Sequence, residues 1–200
     1  MFVGLFTLII LLFSIIIHEI AHGSVALYLG DPTAKYQGRL SINPLKHLDP
    51  IGSFIVPLFL FILTAGKGPI VGWAKPVPIN PYNFKDQKWG KLKVSVAGPA
   101  ANFLVAIFFG LIIRFFPLSS AFSSLLSIIV FYNFLWGLFN LVPIPPLDGS
   151  HILFSLLPER FSKIKFILNQ YRIFLLVFFI YFYLNWLFDI AISLYTLVIG

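Results

Sequence analysis

The chain has 200 residues, of which 59% are hydrophobic and only 10% are charged, and it contains 24 Phe. These proportions exclude an ordinary soluble protein and predict a single integral-membrane domain over residues 1–200. At about 20 residues per span plus loops, the length allows roughly four or five membrane crossings. The absence of cysteine excludes disulfides, thiolate zinc sites and cysteine nucleophiles. The net charge of +7 comes from basic residues in loops, which is typical of cytoplasmic loops and does not indicate nucleic-acid binding.

The first predicted element is a long apolar helix over about residues 3–29, which ends at Gly30 and Pro32. No basic segment precedes it, so it is expected to remain as a span and not to be a cleaved signal peptide. The polar stretch that follows contains one possible strand, Ala34 to Ile42. The next apolar segment, Ile51 to Thr64, is too short for a comfortable crossing and matches a re-entrant segment better.

The rest of the chain is predicted to be mainly helical. A possible edge strand lies at Ile70 to Ile79, where two prolines would each leave the ladder without a donor. Helices are predicted at about 94–116, 121–142, 149–157 and 172–199. The predicted fold class is therefore an all-α polytopic membrane protein with about four full transmembrane helices, a re-entrant segment and a small β-hairpin or edge strand.

The most informative motif is His18-Glu19-Ile20-Ala21-His22, which lies inside the first apolar helix. The i, i+4 spacing places both histidines on one face of the helix, where they can bind one metal ion with Glu19 beside it. The same pattern also occurs by chance, as a packed or solvated cluster without function. Three ionisable groups inside an apolar span are costly without a partner, and this cost favours a hydrolytic metal site.

A third metal ligand should be an acidic residue elsewhere in the membrane. Most of the 7 acidic residues lie in loops together with basic residues, which leaves Asp148 and Asp189. Asp148 follows Asn140–Leu147, whose three prolines must break the helix. Non-helical backbone at membrane depth is tolerated only inside protein or beside a wet cavity, so Asp148 is a good third ligand. Asp189 is expected to make a polar contact between helices or to approach the membrane surface.

Five stretches of the chain form a recognisable set: His18–Gly23, Asn43–Gly52, Gly72–Pro78, Gly98–Asn102 and Asn140–Gly149. In these stretches the chain resembles the site-2 protease family of intramembrane zinc metalloproteases, peptidase family M50. The resemblance implies one zinc ion bound by His18, His22 and Asp148, with Glu19 as the catalytic base. Two histidines and one carboxylate leave a fourth zinc position for water, as a catalytic site requires.

The resemblance also implies cleavage of peptide bonds within or near the transmembrane segments of membrane proteins. It implies a compact, multi-pass protein of a bacterial or archaeal cell membrane without a PDZ or CBS module. Its motifs cover residues 1–157, and the helix at 172–199 is additional. Two alternatives stay open: a catalytically inactive family member that binds or chaperones membrane proteins, and a metal transporter that uses the same ligands.

Three residues are candidates for binding substrate or stabilising the oxyanion: Asn140, Asn102 and His151. Asn140 and Asn102 are preferred, although both could instead only tie helices together by hydrogen bonds. His151 could orient the Asp148 carboxylate or face the cavity through which substrate enters. An extended substrate segment could bind the predicted strand Ile70 to Ile79 by strand addition.

The charges also predict the topology. If Ile51 to Thr64 is re-entrant, loops 31–50, 65–93 and 158–172 share the cytoplasmic side with every Lys and Arg except Arg114. Both termini then lie outside. The same arrangement brings the two halves of the predicted metal site to one depth.

Overall fold

The structure, a computed structural model, describes residues 2–64 and 74–200. These residues are largely helical. The α-helices are α1 Phe2–Tyr28, α2 Thr33–Tyr36, α3 Val56–Leu63, α4 Gln87–Phe115, α5 Ser120–Leu141, α6 Asp148–Leu156, α7 Ser162–Gln170 and α8 Arg172–Ile199. A π-helical turn at Pro50–Ile55 leads into α3, and 3-10 turns lie at Pro44–Lys46, Pro81–Asn83 and Glu159–Phe161.

Four helices of the described chain, α1, α4, α5 and α8, are long and apolar enough to cross a membrane, which confirms the predicted number of spans. Helix α4 packs against each of the other three. Glycines allow close approach at these contacts, because a Cβ at Gly110 would lie 2.5 Å from the Val198 side chain of α8. The predicted multi-pass membrane protein therefore agrees with the structure.

Two helices differ from the prediction. Helix α4 begins at Gln87 and not near residue 94. Its first two turns carry lysines, so the apolar pattern did not mark them as part of the helix. Apolarity marks the part of a helix that lies in lipid and does not mark where the helix begins. Helix α7, Ser162–Gln170, was not predicted, since it is short and mixes lysines with apolar side chains.

The predicted strand at Ala34 to Ile42 is wrong. Thr33–Tyr36 forms a single helical turn, whose start is favoured because the Asp31 carboxylate accepts the Thr33 N–H. Gly38 then adopts a φ of +63°, which turns the chain out of an extended path. Alternating apolarity in this stretch reflects a folded loop and not a strand.

The predicted β-hairpin or edge strand at Ile70 to Ile79 is not confirmed. Residues 70–73 lie outside the described residues, and from Ala74 onward the only pairing is an isolated antiparallel bridge between Ala74 and Leu48. Pro76 and Pro78 have no N–H, so this stretch cannot continue a ladder.

The apolar segment Ile51 to Thr64 is helical from Pro50 to Leu63. A helix of that length extends about 21 Å at 1.5 Å per residue, less than the ~30 Å of a hydrocarbon core. Its exposed side chains are apolar, among them Leu58 and Phe59. A re-entrant position in the membrane stays a prediction that these dimensions support.

Candidate metal centre

Three side chains from two distant parts of the chain meet inside the helical bundle. His18 Nε2 lies 3.0 Å from His22 Nε2, and Asp148 Oδ2 lies 2.9 Å from the first nitrogen and 3.1 Å from the second. Both histidines are buried. Together with Asp148 they form the one group of three potential metal ligands found among residues 2–64 and 74–200.

Asp148 reaches the histidines because the chain between α5 and α6 folds back tightly. Helix α5 ends at Leu141, and Asp148 is the first residue of α6. A Cβ at Gly149 would lie 2.1 Å from the Leu141 carbonyl oxygen, so only glycine allows α6 to start against the end of α5. The proline-broken segment thus brings the carboxylate to the two histidines.

The hydrogen bonds of the two imidazoles show what this group can bind. The His22 Nδ1 lies 2.6 Å from the Val94 carbonyl oxygen, which can only accept, so Nδ1 carries the proton and Nε2 a lone pair. His18 has the same tautomer, because its Nδ1 donates to Asn102 Oδ1 at 2.8 Å. Two nitrogen lone pairs and a carboxylate oxygen therefore face one another, and this donor set fits a zinc ion.

Gly98 of α4 lies against the two ligand nitrogens. A Cβ on Gly98 would lie 2.4 Å from His22 Nε2 and 2.6 Å from His18 Nε2. Any larger residue would fill the position beside both ligand nitrogens. Only glycine therefore fits at this position without displacing the two imidazoles that would hold a metal ion.

The orientation of His18 depends on two asparagines from neighbouring helices. Asn102 Nδ2 donates to the Ser14 carbonyl at 3.1 Å and to Asn133 Oδ1 at 2.9 Å, which turns its Oδ1 toward His18. Asn133 Nδ2 in turn donates to the Ile129 carbonyl at 2.9 Å. Because both backbone carbonyls can only accept, they fix both amides and, through them, the His18 tautomer. Asn133 was not predicted from the sequence, where an asparagine in an apolar helix carries no motif.

Glu19 lies beside the three possible metal ligands, His18, His22 and Asp148, and a backbone N–H holds its carboxylate. The Val77 N–H donates to Glu19 Oε2 at 2.7 Å. Val77 stands between two prolines, so its N–H is the only backbone donor in that tripeptide. The group of possible metal ligands consists of His18, His22 and Asp148, and the role of Glu19 as a base stays a prediction.

A cavity of about 990 Å³ opens beside Glu19, His22 and Asp148. Its walls come from the segment before the 3-10 turn Pro81–Asn83, the start of α4, helix α6 and the loop that follows α6. The lining residues include Pro76, Val77, Ile79, Val94, His151 and Phe154. The volume is sufficient for several residues of an extended peptide.

The three candidates for oxyanion or substrate contact fall in different places. His151 is exposed and lines the cavity, whereas Asn102 is fully buried and uses its amide to hold His18. Asn140 is buried and its Nδ2 donates to the Trp136 carbonyl of its own helix at 3.0 Å. These contacts favour the alternative interpretation, in which both asparagines stabilise the helical bundle.

A second buried polar group holds the loops at the end of α1. Asp31 is fully buried and accepts from the Asn80 N–H at 2.6 Å, from Asn83 Nδ2 at 2.7 Å and from Thr33. Burial alone would raise the pKa of Asp31, but these hydrogen bonds outweigh it and lower the pKa below its usual value. From the sequence, Asp31 was only one acidic residue in a basic loop.

Arg39 also joins these loops, through a second set of hydrogen bonds. Its guanidinium is buried and donates to the carbonyl oxygens of Lys46, Lys75 and Pro76. Loops 31–49 and 74–86 are therefore joined, and the second of them carries the Val77 N–H that holds Glu19. No short motif signalled these contacts, because they join side chains to backbone far away in the sequence.

Comparisons with known proteins indicate the family of the chain. The model of peptidase family M50 matches residues 117–184. The chain is 42% identical over 162 residues to "Putative zinc metalloprotease YwhC" of Bacillus subtilis, which covers 76% of this chain and 69% of YwhC. It is 34% identical over 152 residues to "Putative zinc metalloprotease Rip2" of Mycolicibacterium smegmatis, which covers 74% of this chain and 56% of Rip2.

A shorter similarity reaches an archaeal protein, "Zinc metalloprotease MJ0392" of Methanocaldococcus jannaschii, with 32% identity over 81 residues, 40% of this chain and 24% of MJ0392. No solved structure gave a significant match. The family match and the names of these relatives support a zinc metalloprotease. The chain belongs to peptidase family M50, the site-2 protease family.

Proposed function

We propose that this protein is an intramembrane zinc protease that hydrolyses peptide bonds within or near the transmembrane segments of other membrane proteins. The observation that carries the proposal is the position of the metal group. His18 and His22 lie in α1, one of the four helices of the described chain that can span a membrane, and both are buried. His22 also lines the cavity that opens beside Glu19 and Asp148. A scissile bond that reaches this cavity would meet the zinc site, Glu19 and a supply of water together.

His18, His22 and Asp148 would hold the zinc ion. Bound zinc supplies Lewis acidity and lowers the pKa of a water molecule from about 15.7 towards about 7. Glu19 would take the proton of the attacking water and deliver it to the leaving amine. The Val77 N–H holds Glu19 Oε2, and no described residue bonds to Oε1, so that oxygen is available for the proton.

His151 is the candidate that the cavity favours for contact with the substrate carbonyl. It lines the same cavity as Glu19 and Asp148, whereas the amides of Asn102 and Asn140 bond within the bundle. An extended substrate segment would lie beside Pro76–Ile79, which forms one wall. Such a substrate must first unwind, so helix-breaking residues near its cleavage site should promote cleavage.

The test uses the full chain reconstituted in lipid vesicles with a single-span model substrate. Glu19→Gln should reduce cleavage by about 10²- to 10⁴-fold and leave zinc bound, because Glu19 is a base and not a ligand. Asp148→Ala should lower zinc content and cleavage together. A wild-type protein that binds zinc and cleaves nothing would favour the inactive, chaperone-like alternative, and undiminished cleavage by Glu19→Gln would show that the assigned base is wrong.

A further inference from the structure

The outward face of α8 carries a line of polar side chains. Their spacing of four, four and three residues puts them on one face of a helix. All of them are exposed: Asn185, Asp189, Ser193 and Thr196. The residues of α8 that are buried against the bundle, Phe179, Leu187 and Ala191, lie on the opposite face. We call the four exposed polar residues the polar face of α8.

This face lies at membrane depth and not at the membrane surface. The Phe188 ring, next to Asp189 in the chain, lies 5.9 Å from the ring of Phe131, near the middle of the span α5. Two residues further, Ala191 is buried in one cluster with Ala106, in the interior of the span α4. Asp189 is therefore level with the centres of two other spans.

An acidic side chain directed at lipid at this depth is costly, and such residues usually face protein or water. The Asp189 carboxylate has no hydrogen bond to any residue of the described chain, and neither does the Asn185 amide. The hydroxyls of Ser193 and Thr196 donate to carbonyls of their own helix and keep their oxygens free to accept. The predicted polar contact of Asp189 with another helix is thus missing inside the described part of the molecule.

We propose that the polar face of α8 binds the same face of a second copy of this chain. Two copies in one membrane have the same orientation and depth, so like residues meet across a two-fold axis. Amide and hydroxyl groups both donate and accept, which makes Asn185, Ser193 and Thr196 self-complementary. The two Asp189 carboxyl groups meet as a pair that shares one proton. A different partner would need a matching set of polar groups at the same depth.

The shape of α8 indicates where the two helices cross. In its first half the same outward face carries Phe174, Phe178 and Phe182, which are large and exposed. In the second half Ser193 is small and allows close approach of two backbones. The crossing therefore lies near Asp189 and Ser193. This interface uses no residue of the metal centre, so it can be tested independently of proteolysis.

The chain contains no cysteine, which permits a matched cross-linking experiment. Thr196→Cys and Leu197→Cys place thiols at adjacent, exposed positions that differ in depth by only about 1.5 Å and point about 100° apart. On oxidation in native membranes, we expect disulfide-linked dimers from Thr196→Cys and few from Leu197→Cys. Equal cross-linking of both, or none at Thr196→Cys, would overturn the proposal. A cross-link from Thr196→Cys to a different protein would do so as well, because another helix then occupies the face.

Two changes at Asp189 in the Thr196→Cys background test the chemistry of the contact. Asp189→Leu should weaken dimerisation roughly threefold to twentyfold, the range for one interhelical hydrogen bond in a membrane. Asp189→Asn should retain it, since an amide is self-complementary. Both changes face away from the bundle, and unaltered thermal unfolding of the purified protein would check that the fold persists. Dimers unaffected by Asp189→Leu, or lost in Asp189→Asn, would contradict the assigned contact.

Discussion

Two groups of buried polar side chains stabilise this molecule, and they are built differently. At membrane depth, His18 is held by Asn102 and Asn133, so every partner lies on a spanning helix. At the end of α1, Asp31 is held by Asn80 and Asn83, which lie in a loop. The first group depends on the fixed spacing of helices, and the second depends on how two loops fold against each other.

This difference explains what the sequence could predict. A helix has a constant rotation per residue, so the positions of His18, Glu19 and His22 on α1 followed from their spacing alone. Asp148 was predicted because broken backbone at membrane depth needs a special environment. The relation of Asn102 to His18 could not be predicted, because it depends on how α4 is rotated against α1.

The loops gave less information for a physical reason. The strand predicted at Ala34 to Ile42 rested on local alternation, but the segment is held by the buried side chains of Asp31 and Arg39. Such side chains bond to backbone groups tens of residues away, and no local pattern encodes the partner. The four spans were predicted correctly because apolarity over about 20 residues requires no partner.

The largest expected effect concerns the space beside the ligand nitrogens. Gly98→Ala should reduce bound zinc from about one ion per chain to almost none, because its Cβ would lie 2.4 Å from His22 Nε2. Zinc content after purification measures this. Gly110→Ala is the matched control, since its Cβ would lie 2.5 Å from the Val198 side chain, an equally close approach on the same helix but away from the histidines. Normal zinc content in Gly98→Ala would mean that the close approach of α4 is wrong.

A smaller effect is expected from the asparagines that orient His18. Asn102→Leu should weaken zinc binding by about 10- to 100-fold, because His18 Nδ1 loses its acceptor. Asn133→Leu should weaken it less, and the double variant should bind zinc no worse than Asn102→Leu, because Asn133 acts through Asn102. Competition with a chelator measures the affinity.

The control for these asparagines is Ser127→Ala, also on α5. It removes the 2.8 Å hydrogen bond from the Tyr195 hydroxyl to Ser127 without touching the histidines. Its zinc affinity should equal that of the wild type. Additive losses in the double variant of Asn102 and Asn133 would show that the two amides act separately.

The stability of the loop contacts around Asp31 should depend on pH in a defined direction. Asp31→Asn should raise hydrogen exchange at the Asn80 amide by about 10- to 100-fold near pH 7, equivalent to a loss of about 1.4 to 2.8 kcal/mol. The folded pKa of Asp31 lies below its unfolded value of about 3.9, so its stabilisation is present above that pH and is lost as the pH falls through the folded pKa. The variant and wild type should therefore converge at acidic pH.

Asp49→Asn is the control for Asp31→Asn. Asp49 also accepts backbone N–H groups, those of Ile51 and Gly52, but it does not contact Asn80. Its replacement should leave exchange at Asn80 unchanged. A difference between Asp31→Asn and wild type that persists at low pH would show that the carboxylate charge is not what holds the loop.

The last prediction concerns the side of the membrane on which the loops held by Asp31 and Arg39 lie. Asp31 bonds to Asn80, and Arg39 bonds to the carbonyls of Lys75 and Pro76, so the loops on both sides of residues 50–73 are tied together. Loops in contact must lie on one side of the membrane, which supports the re-entrant placement of Ile51 to Thr64.

Single cysteines can test this placement in the cysteine-free chain with an impermeant thiol reagent on intact cells. Among Ser41→Cys, Gln87→Cys, Ser120→Cys and Ser162→Cys, only Ser120→Cys should be labelled, because the other three positions lie on the side that carries the basic loops. All four should react after permeabilisation. Labelling of Gln87→Cys without Ser41→Cys would show that Ile51 to Thr64 crosses the membrane. The loop contacts of Asp31 and Arg39 could then not exist together with that topology, since one carboxylate cannot bond to an amide on the opposite side of a bilayer about 30 Å thick.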